Sequence, residues 1–367
     1  MIQPRETLSK VVPYTPGKSI QQVQSELGLD RIIKLASNEN PWGSPVSAAE
    51  LAEIIQTIAL YPDIGSGPLL GKLSQKLAVS IPQLILGNGS DEILTMIGMA
   101  YLNPGDRVIT ARETFSEYGF VAHLMDATLE QVPLANHTFD LDAMAAVVNR
   151  PSDHPAKMVC IANPNNPTGT IISSEALSRF MSQIPETVAV ILDEAYAEFV
   201  DDPRYPDTIQ LLSEYPNLIV TRTFSKLYGL AGFRIGYAIA VPEVIATLYK
   251  VRQPFNINSV ALAAASVALD KPEFVEKTLT HNRVERQRLA SEFASLGYKV
   301  IPSQANFLCI HIGPTAGDWV QFLLQNGIIV RHLASFGMPE YVRITVGLPE
   351  QNSLLLALVG SDLATRR

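Results

Sequence analysis

Lys226 stands in an unusual setting for a lysine. The stretch from Asn217 to Ala240, NLIVTRTFSKLYGLAGFRIGYAIA, is almost entirely apolar or small, and it predicts two buried strands joined by a loop that carries Lys226. Lysine is among the residue types least often fully buried, and its ordinary state is a solvated amine on a buried stem. An amine held away from water loses its proton more readily, and a neutral amine can act as a base or a nucleophile. Lys226 is therefore a candidate reactive group.

Polar side chains follow other apolar runs in the same way. They are Asn165 and Asn166 in ANPNNPTG, Asp193 and Tyr196 in LDEAY, and Thr223 in VTRTFSK. Each alone has an ordinary explanation as a turn or a helix cap. Open α/β sheets bind ligands at the carboxyl ends of their strands, so together these residues indicate one shared site.

The segment ILGNGSDEIL predicts a strand, a glycine turn and a helix that begins near Ser90 and Asp91. Free N–H groups and the positive end of the helix dipole bind anions at such a helix start. The dinucleotide fingerprint is not completed, because Glu92 stands where the third glycine belongs. The segment can cradle one phosphate, and an ordinary helix cap without a ligand is the alternative.

These groups together suit one class of cofactor. They supply an amine, a carboxylate, a phosphate cradle and two hydrogen-bonding side chains. A cofactor with an aldehyde, a phosphate and a ring nitrogen that needs a counter-anion would use all of them. Pyridoxal 5'-phosphate (PLP) has these three groups, so the residues predict a PLP site.

The elements that would position these groups alternate between apolar strands and helices. The strand candidates are 83–87, 107–110, 129–134, 157–162, 188–193, 218–223 and 234–240. The helix candidates are 46–59, 90–102, 116–126, 174–183 and 242–252. Solid apolar strands between helices predict an α/β fold with a mostly parallel sheet covered on both faces. A charged helix at about 272–296, followed by short strand-like runs, predicts a smaller α+β domain.

The composition argues against several classes of function. The 367 residues are 47% hydrophobic and 17% charged with a net charge of −8, and no basic stripe indicates nucleic-acid binding. The start MIQPRETLSK lacks the apolar core of a signal peptide, and the run SVALAAASVALD is too short to span a bilayer. The six histidines lack metal-ligand spacing, and Cys160 and Cys309 lie far apart in apolar runs. We expect a cytoplasmic protein with no metal, no nucleic-acid partner and no membrane span.

The segment GSGPLLGK, Gly65 to Lys72, resembles a phosphate-binding P-loop only superficially. Ser66 stands where the first glycine is required, and Leu73 stands where Ser or Thr would bind magnesium. No strand candidate precedes the segment. We expect a surface loop rich in proline and glycine.

Seven motifs, in order from about residue 14 to residue 347, resemble one family. They are LASNENPWG, YPD, GNGSDEIL, ANPNNPTGT, LDEAYAEF, TRTFSKLYGLAGFRIGY and VRITVG. The sequence is similar to fold-type-I PLP-dependent aminotransferases of class I/II, and within them to the histidinol-phosphate aminotransferase family. The resemblance implies a seven-stranded, mostly parallel sheet and a homodimer with shared active sites. It divides the chain into an arm at 1–40 that packs with the small domain or the partner subunit, a PLP-binding domain at 41–265 and a small domain at 266–367.

The resemblance also assigns residues around the cofactor ring. Lys226 would bind the cofactor aldehyde and later move a proton, while Asp193 would pair with the ring nitrogen. Asn166 and Tyr196 would hydrogen-bond the ring oxygen, and Phe115 would stack on the ring. Of these, Lys226, Asp193 and Tyr196 form the implied catalytic set.

A second group of positions is implied for the phosphate. Its members on this chain are Ser90, Asp91, Thr223, Ser225 and Arg234. Tyr61, in YPD, would reach the phosphate bound by the neighbouring subunit.

On the substrate side, Arg343 in VRITVG matches the anchor for an α-carboxylate, a task that suits a bidentate guanidinium. Asn166 belongs to this substrate set as well, and Arg331 and Tyr14 match positions near the distal end of the substrate. The family usually has Pro-Thr-Tyr or Pro-Thr-Phe at the stacking loop, whereas this chain has Glu113 to Phe115, ETF. Stacking needs only an aromatic face and is retained, but substrate preference can differ.

The reaction implied is ping-pong transamination between small amino compounds and 2-oxo acids. The expected pair is L-histidinol phosphate with 2-oxoglutarate, giving imidazole-acetol phosphate and L-glutamate, or the reverse. Two alternatives stay open, an aromatic-amino-acid aminotransferase and a PLP decarboxylase of the threonine-phosphate type. A non-catalytic domain of this fold is a third, against which Lys226, Asp193 and Arg234 argue.

Overall fold

Two β-sheets with their helices organise the chain. The computed structural model of the protein describes residues 2–11, 13, 17–63, 65 and 67–366. The helices are α1 (Ile20–Leu27), α2 (Ala48–Gln56), α3 (Gly67–Leu77), α4 (Ser90–Tyr101), α5 (Glu117–Leu124), α6 (Leu141–Val148), α7 (Ser174–Met181), α8 (Thr208–Leu211), α9 (Pro242–Val251), α10 (Ser259–Leu269), α11 (Pro272–Ser295), α12 (Ala316–Gln325) and α13 (Pro349–Arg366). The strands are β1 (Ile33–Lys34), β2 (Leu84–Gly87), β3 (Arg107–Ala111), β4 (Thr128–Val132), β5 (Ala156–Ala162), β6 (Ala189–Asp193), β7 (Leu218–Thr223), β8 (Gly236–Ile239), β9 (Lys299–Ile301), β10 (Phe307–His311), β11 (Ile328–Ile329), β12 (Arg331–His332) and β13 (Tyr341–Thr345).

The larger sheet has seven strands in the order β2-β8-β7-β6-β5-β3-β4. Strand β8 is antiparallel to both of its neighbours, and the other pairs are parallel. Ala162 on β5 is a register partner of Asp193 on β6, which in turn is a partner of Thr221 on β7. The carboxyl ends of these parallel strands therefore meet at one edge, where such sheets bind ligands. The sheet confirms the predicted α/β fold class.

The predicted surface loop at Gly65 to Lys72 is wrong, because α3 begins inside it. Pro68 is the second residue of the helix, where its missing N–H leaves no helical hydrogen bond unmade. Three leucines of α3 are buried in the main core: Leu69, Leu70 and Leu73. Burial of one helix face outweighs the low helix propensity of the glycines and the proline.

The smaller sheet has four antiparallel strands in the order β12-β13-β10-β9. Arg331 on β12 and Cys309 on β10 are both register partners of Arg343 on β13. A second hydrophobic core, which includes Phe293 of α11 and Trp319 of α12, packs with this sheet. This is the smaller α+β unit expected from the sequence.

The N-terminal segment touches both parts of the molecule. Strand β1 pairs in parallel with β11 beside the smaller sheet. Earlier in the chain, a 3₁₀ turn at Glu6–Lys10 lies at the end of α5, where Thr7 Oγ1 donates to His123 O at 2.8 Å. The segment therefore spans from the helix that follows Phe115 to the neighbourhood of Arg331.

Helix α11 packs on both cores. Val275 and Leu279 lie against the main core, and Leu289 and Phe293 are buried in the second. The division of the chain at 1–40, 41–265 and 266–367 stays a prediction.

The apolar run SVALAAASVALD forms α10, whose small side chains are buried in the main core. Within the described ranges, no helix combines the length and the apolar character needed to cross a bilayer. The cytoplasmic location expected from the sequence stays a prediction.

Candidate active site

The lysine loop, residues 224–235, joins β7 to β8 and carries Lys226. Lys226 Nζ donates to Ser37 O at 3.3 Å and lies 5.8 Å from the ring centroid of Tyr196. The start of the loop is fixed by Thr223, whose Oγ1 accepts a hydrogen bond from Ser225 N at 3.1 Å. The amine thus lies near the carboxyl edge of the large sheet, between the lysine loop and the N-terminal segment.

Gly229 permits the lysine loop to lie directly against the chain at Gly43. Its φ of +63° is in the left-handed region, and a Cβ there would lie 2.0 Å from the carbonyl oxygen of Gly43. Glycine takes this conformation without steric cost, and no other residue leaves room for the carbonyl. A backbone contact therefore sets the position of the loop that carries Lys226.

Asp193 is buried at the end of β6, with 5% of its surface exposed. Tyr118 Oη donates to its Oδ2 at 2.8 Å, and Ala195 N donates to its Oδ1 at 3.1 Å. Burial raises the pKa of the Asp193 carboxyl to about 6, and the hydrogen bonds from Tyr118 and Ala195 oppose that rise. A carboxylate held in this way can serve as the counter-anion of a buried cation.

The adjacent Glu194 has a structural partner. Its fully buried carboxylate lies 2.7 Å from Arg222 Nη2 and accepts a hydrogen bond from Tyr205 Oη at 3.1 Å. The same Tyr205 hydroxyl lies 2.5 Å from Asn163 O, at the end of β5. The contacts of Glu194 and Tyr205 therefore hold together the ends of strands β5, β6 and β7, where the candidate site lies.

Tyr196 receives a hydrogen bond from the N-terminal segment. Asn38 Nδ2 donates to Tyr196 Oη at 2.9 Å, and both residues are buried. Asn38 N donates to Thr345 Oγ1 at 2.9 Å, and Asn306 Nδ2 donates to Asn38 O at 3.0 Å. The φ of Asn38 is +56°, which asparagine tolerates better than most residues. Asn38 therefore links the two sheets beside Tyr196.

Arg234 reaches back to the start of α4. Its Nη1 donates to Ser225 Oγ at 3.3 Å, and its Nη2 lies 3.2 Å from Asp91 Oδ2. The predicted strand at 234–240 begins two residues later, at Gly236, because Arg234 has a φ of +54° in the left-handed region. This turn directs the guanidinium toward α4 and keeps Arg234 out of the sheet.

Two glycines leave space beside this guanidinium. A Cβ at Gly89 would lie 2.4 Å from Arg234 Nη2, and a Cβ at Gly236 would lie 2.7 Å from Ser90 N. Gly89 is also the N-cap of α4, so it offers no side chain to the free N–H groups of the first turn. A guanidinium beside free N–H groups at a helix start is an anion cradle.

Phe115 lies in a loop that Asn165 holds. Thr114 Oγ1 donates to Asn165 Oδ1 at 2.8 Å, and Asn165 Nδ2 donates to Glu113 O at 3.1 Å. Glu113, which stands where the family usually has proline, accepts a hydrogen bond from Leu134 N at 3.1 Å. Hydrogen bonds thus anchor the loop that lacks the rigid proline.

Arg343 is buried on β13 beside Asn166. Its Nη2 donates to Ala36 O at 2.7 Å, and its Nη1 donates to Asn166 Oδ1. These bonds place its guanidinium between the N-terminal segment and the loop after β5.

Arg331 accompanies Arg343 on the same face of the smaller sheet, since directly opposite residues of neighbouring strands share a face. Arg331 Nη2 donates to Ser335 Oγ at 3.3 Å. Two like charges held together in this way repel each other unless an anion lies near them.

Two predicted residues lie apart from this group. Tyr61 is on the surface, 80% exposed, and its ring stacks on Phe255 with 4.4 Å between centroids. Tyr14 lies outside the described residues. The roles predicted for both residues stay predictions.

Sequence reasoning missed Tyr118, Asn38 and Phe336, whose ring centroid lies 5.9 Å from Arg343 Cζ. The motif LASNENPWG offers one signal for Asn38, because an asparagine in a segment that also contains proline and glycine favours a left-handed turn. Tyr118 and Phe336 gave no such signal, since an aromatic residue in a helix or a turn is ordinary core.

Comparison with known proteins agrees with the fold and identifies the family. Residues 30–357 match the family of class I and II aminotransferases, so the chain is an enzyme of that class. It is 44% identical over 359 residues to histidinol-phosphate aminotransferase of Brevibacillus brevis, with 98% of each chain covered. It is also 44% identical over 362 residues to the Moorella thermoacetica enzyme of that name, covering 98% of this chain and 93% of the other. The chain belongs to the histidinol-phosphate aminotransferase family.

A solved structure supports the same assignment. Histidinol-phosphate aminotransferase of Sinorhizobium meliloti, in complex with pyridoxal-5'-phosphate, matches the fold with a TM-score of 0.90 and 26% identity. The match covers 100% of this chain and 99% of that chain. The predicted fold type is confirmed.

Proposed function

We propose that this chain catalyses PLP-dependent transamination between L-histidinol phosphate and 2-oxoglutarate, giving imidazole-acetol phosphate and L-glutamate, or the reverse. The observation that carries the proposal is the placement of Lys226 and Asp193 at one sheet edge, with Arg343 joined to the same region through Asn166. The full-length likeness to histidinol-phosphate aminotransferases gives the substrate.

The residues fit PLP on three counts. The cradle between Gly89, Arg234 and the start of α4 suits a phosphate, and a Cβ at Gly89 would fill it. The buried carboxylate of Asp193 suits a protonated ring nitrogen. Lys226 supplies an amine near the ring of Tyr196, at 5.8 Å. When bound, PLP supplies the electron sink for the charge that forms at the substrate Cα.

The residues of this chain bind and move the remaining groups. Lys226 Nζ takes the proton from the substrate Cα and holds it, and Ser37 O accepts a hydrogen bond from that amine. Tyr196 Oη accepts from Asn38, so its own proton is available to a second oxygen. Phe115 covers one face of the ring site and limits the access of water.

Arg343 and Arg331 bind different anionic groups of the substrates. Arg343 binds the carboxylate of glutamate or 2-oxoglutarate, and Asn166 orients its guanidinium. Arg331 binds the distal phosphate of histidinol phosphate, with Tyr14 as its second partner. A planar guanidinium suits both anions.

The partner is a second copy of this chain, and the two copies share active sites. Five large apolar side chains at or near Tyr61 are exposed, and this supports the proposal, since exposed apolar surface marks interaction sites. They are Ile55, Ile58, Leu60, Tyr61 and Phe255, of which Tyr61 and Phe255 stack on each other. If Tyr61 serves the neighbouring site, mixed dimers of Lys226→Ala and Tyr61→Ala subunits regain activity that each variant lacks alone. Dimers that stay as inactive as the parents contradict shared sites.

Steady-state kinetics with several donors test the activity. We expect kcat/KM for histidinol phosphate to exceed that for phenylalanine and tyrosine, and no release of carbon dioxide from O-phosphothreonine. Good turnover of aromatic donors without turnover of histidinol phosphate would overturn the substrate. Borohydride reduction of cofactor-saturated protein, followed by peptide mapping, should modify Lys226. Modification of a different lysine would overturn its role.

A further inference from the structure

Tyr118 contacts two groups of the candidate site with one side chain. Its hydroxyl donates to Asp193 Oδ2 at 2.8 Å, and its ring meets the Phe115 ring edge-on, with 5.8 Å between centroids and 86° between planes. Only 1% of Tyr118 is exposed. It lies in the first turn of α5, three residues after Phe115.

We infer that Tyr118 is a positioning residue that keeps Asp193 ionised and fixes the plane of its carboxylate. The inference rests on the proposed function only in that Asp193 serves there as the counter-anion of the cofactor ring. Its physical basis is the hydrogen bond between the buried Tyr118 hydroxyl and the buried Asp193 carboxylate.

Burial opposes the charge on Asp193, and hydrogen bonds to the charged form restore it. Tyr118 holds Oδ2 and Ala195 N holds Oδ1, so each carboxylate oxygen has a donor and the plane of the group is defined. The Tyr118 hydroxyl keeps its proton and so remains a hydrogen-bond donor. The reason is that burial first and the Asp193 charge second raise the pKa of Tyr118 well above its usual range.

Other titratable groups face this pair from the neighbouring elements. Asp91 of α4 disfavours a charge on Asp193, and Tyr196 disfavours a charge on Tyr118. Burial raises the pKa of the Cys160 thiol on β5, so this thiol stays protonated. Neither Asp91 nor Cys160 helps Asp193 to ionise, so the role falls to the hydrogen-bond donors, of which Tyr118 lowers the pKa of Asp193 most, Ala195 N less and the Thr221 hydroxyl least.

The contact with Phe115 extends the effect to the other side of the ring site. A shift of Tyr118 toward or away from Asp193 would move the edge on which Phe115 rests. The carboxylate and the stacking ring are therefore positioned by one side chain. An ordinary core tyrosine would also pack on Phe115, but its hydroxyl would not alter the titration of Asp193.

The first test removes only the hydroxyl and uses the apoenzyme. Aspartate ¹³C-carboxyl NMR of wild type follows Asp193, whose signal is assigned by its loss in Asp193→Asn. Tyr118→Phe should raise the midpoint of this titration by about 1 pH unit or more, which is a tenfold loss of ionised Asp193 on the acidic side of the original midpoint. An unchanged midpoint in a folded Tyr118→Phe protein would overturn the inference.

Tyr228→Phe is the matched control, because Tyr228 is 2% exposed and packs on Phe224 at 5.0 Å. It should leave the Asp193 midpoint unchanged. A second probe keeps the test valid if Tyr118→Phe does not fold. 3-Fluorotyrosine placed at position 118 is a stronger donor of nearly the same shape, so it should lower the midpoint. A rise or no change there would contradict the inference.

Activity gives an independent measure. In Tyr118→Phe holoenzyme, the acidic limb of the pH profile of kcat/KM should move to higher pH, in step with the NMR midpoint. If wild-type protein shows no transamination, the proposed function fails, but the NMR comparison still decides the role of Tyr118. If transamination is normal and the midpoint does not move, only the inference about Tyr118 fails.

Discussion

Arg331 and Arg343 lie directly opposite each other on β12 and β13, and the ring of Phe336 lies beside both guanidinium groups. The Cζ atoms are 6.0 Å and 5.9 Å from the ring centroid, respectively. The flat face of an aromatic ring attracts cations, so Phe336 offsets part of the repulsion between the two charges. This arrangement keeps two guanidinium groups close together on one face of the sheet.

Substitution of these arginines should affect different half-reactions. Arg331→Gln should lower kcat/KM for histidinol phosphate about 100-fold but change that for histidinol, which lacks the phosphate, little. Arg343→Gln should instead impair the half-reaction with 2-oxoglutarate. Single-turnover absorbance measurements on each half-reaction separate the two effects. Equal losses for histidinol and its phosphate in Arg331→Gln would refute the assignment.

Two substitutions of Asn38 separate the contribution of its left-handed backbone conformation from that of its side-chain hydrogen bond. Asn38→Ala and Asn38→Gly both remove the hydrogen bond to Tyr196, but only glycine takes the φ of +56° without cost. We expect Asn38→Ala to lower the free energy of unfolding by about 1 kcal/mol more than Asn38→Gly. Urea titrations of the two variants measure this difference. Equal stability would mean that the left-handed turn relaxes.

Glycine substitutions in the lysine loop should differ sharply. Gly229→Ala places a Cβ 2.0 Å from Gly43 O, whereas a Cβ at Gly232 meets no described atom within 4 Å. Gly229→Ala should cost about 2 to 4 kcal/mol of stability and weaken cofactor binding, because Lys226 moves with the loop. Gly232→Ala in the same loop should stay near wild type. Thermal unfolding and cofactor titration give both quantities.

The buried Asp193 should make the apoenzyme less stable as pH rises. Its pKa is raised from an ordinary value near 3.8 to about 6, so the folded state binds a proton more tightly than the unfolded state. The resulting stabilisation is present below pH 3.8 and is lost as the pH passes through about 6. The full loss is on the order of 3 kcal/mol.

Asp193→Asn is the control for this effect, since it cannot ionise. Relative to Asp193→Asn, wild type should lose free energy of unfolding as the pH rises from 4 to 7. Urea titrations across this range measure it. A difference that does not vary with pH would show that burial does not raise the pKa of Asp193.

Residues at the ends of strands were predictable from the sequence, and their partners were not. Lys226 and Asp193 stood out because polar groups directly followed solid apolar runs. The hydroxyl of Tyr118 lies 75 residues from Asp193 in sequence, and Asn38 lies 158 residues from Tyr196. Contacts at such separations depend on the packing of whole elements, which local patterns do not encode. Helix α3 was missed for the opposite reason, since its glycines and proline gave a strong local signal that burial of its leucines overrode.

The contacts of Asn38 also fix an order of events during synthesis. Its partners, Tyr196, Asn306 and Thr345, are all translated later, the last of them near the end of the chain. Domains generally fold from the N-terminus while the chain is still being made. The ribosome therefore produces Lys226 and strand β7 well before the smaller sheet that carries Arg343 exists. Until the segment with Thr345 has been made and has folded, the nascent chain has Lys226 but not the neighbourhood of Arg343.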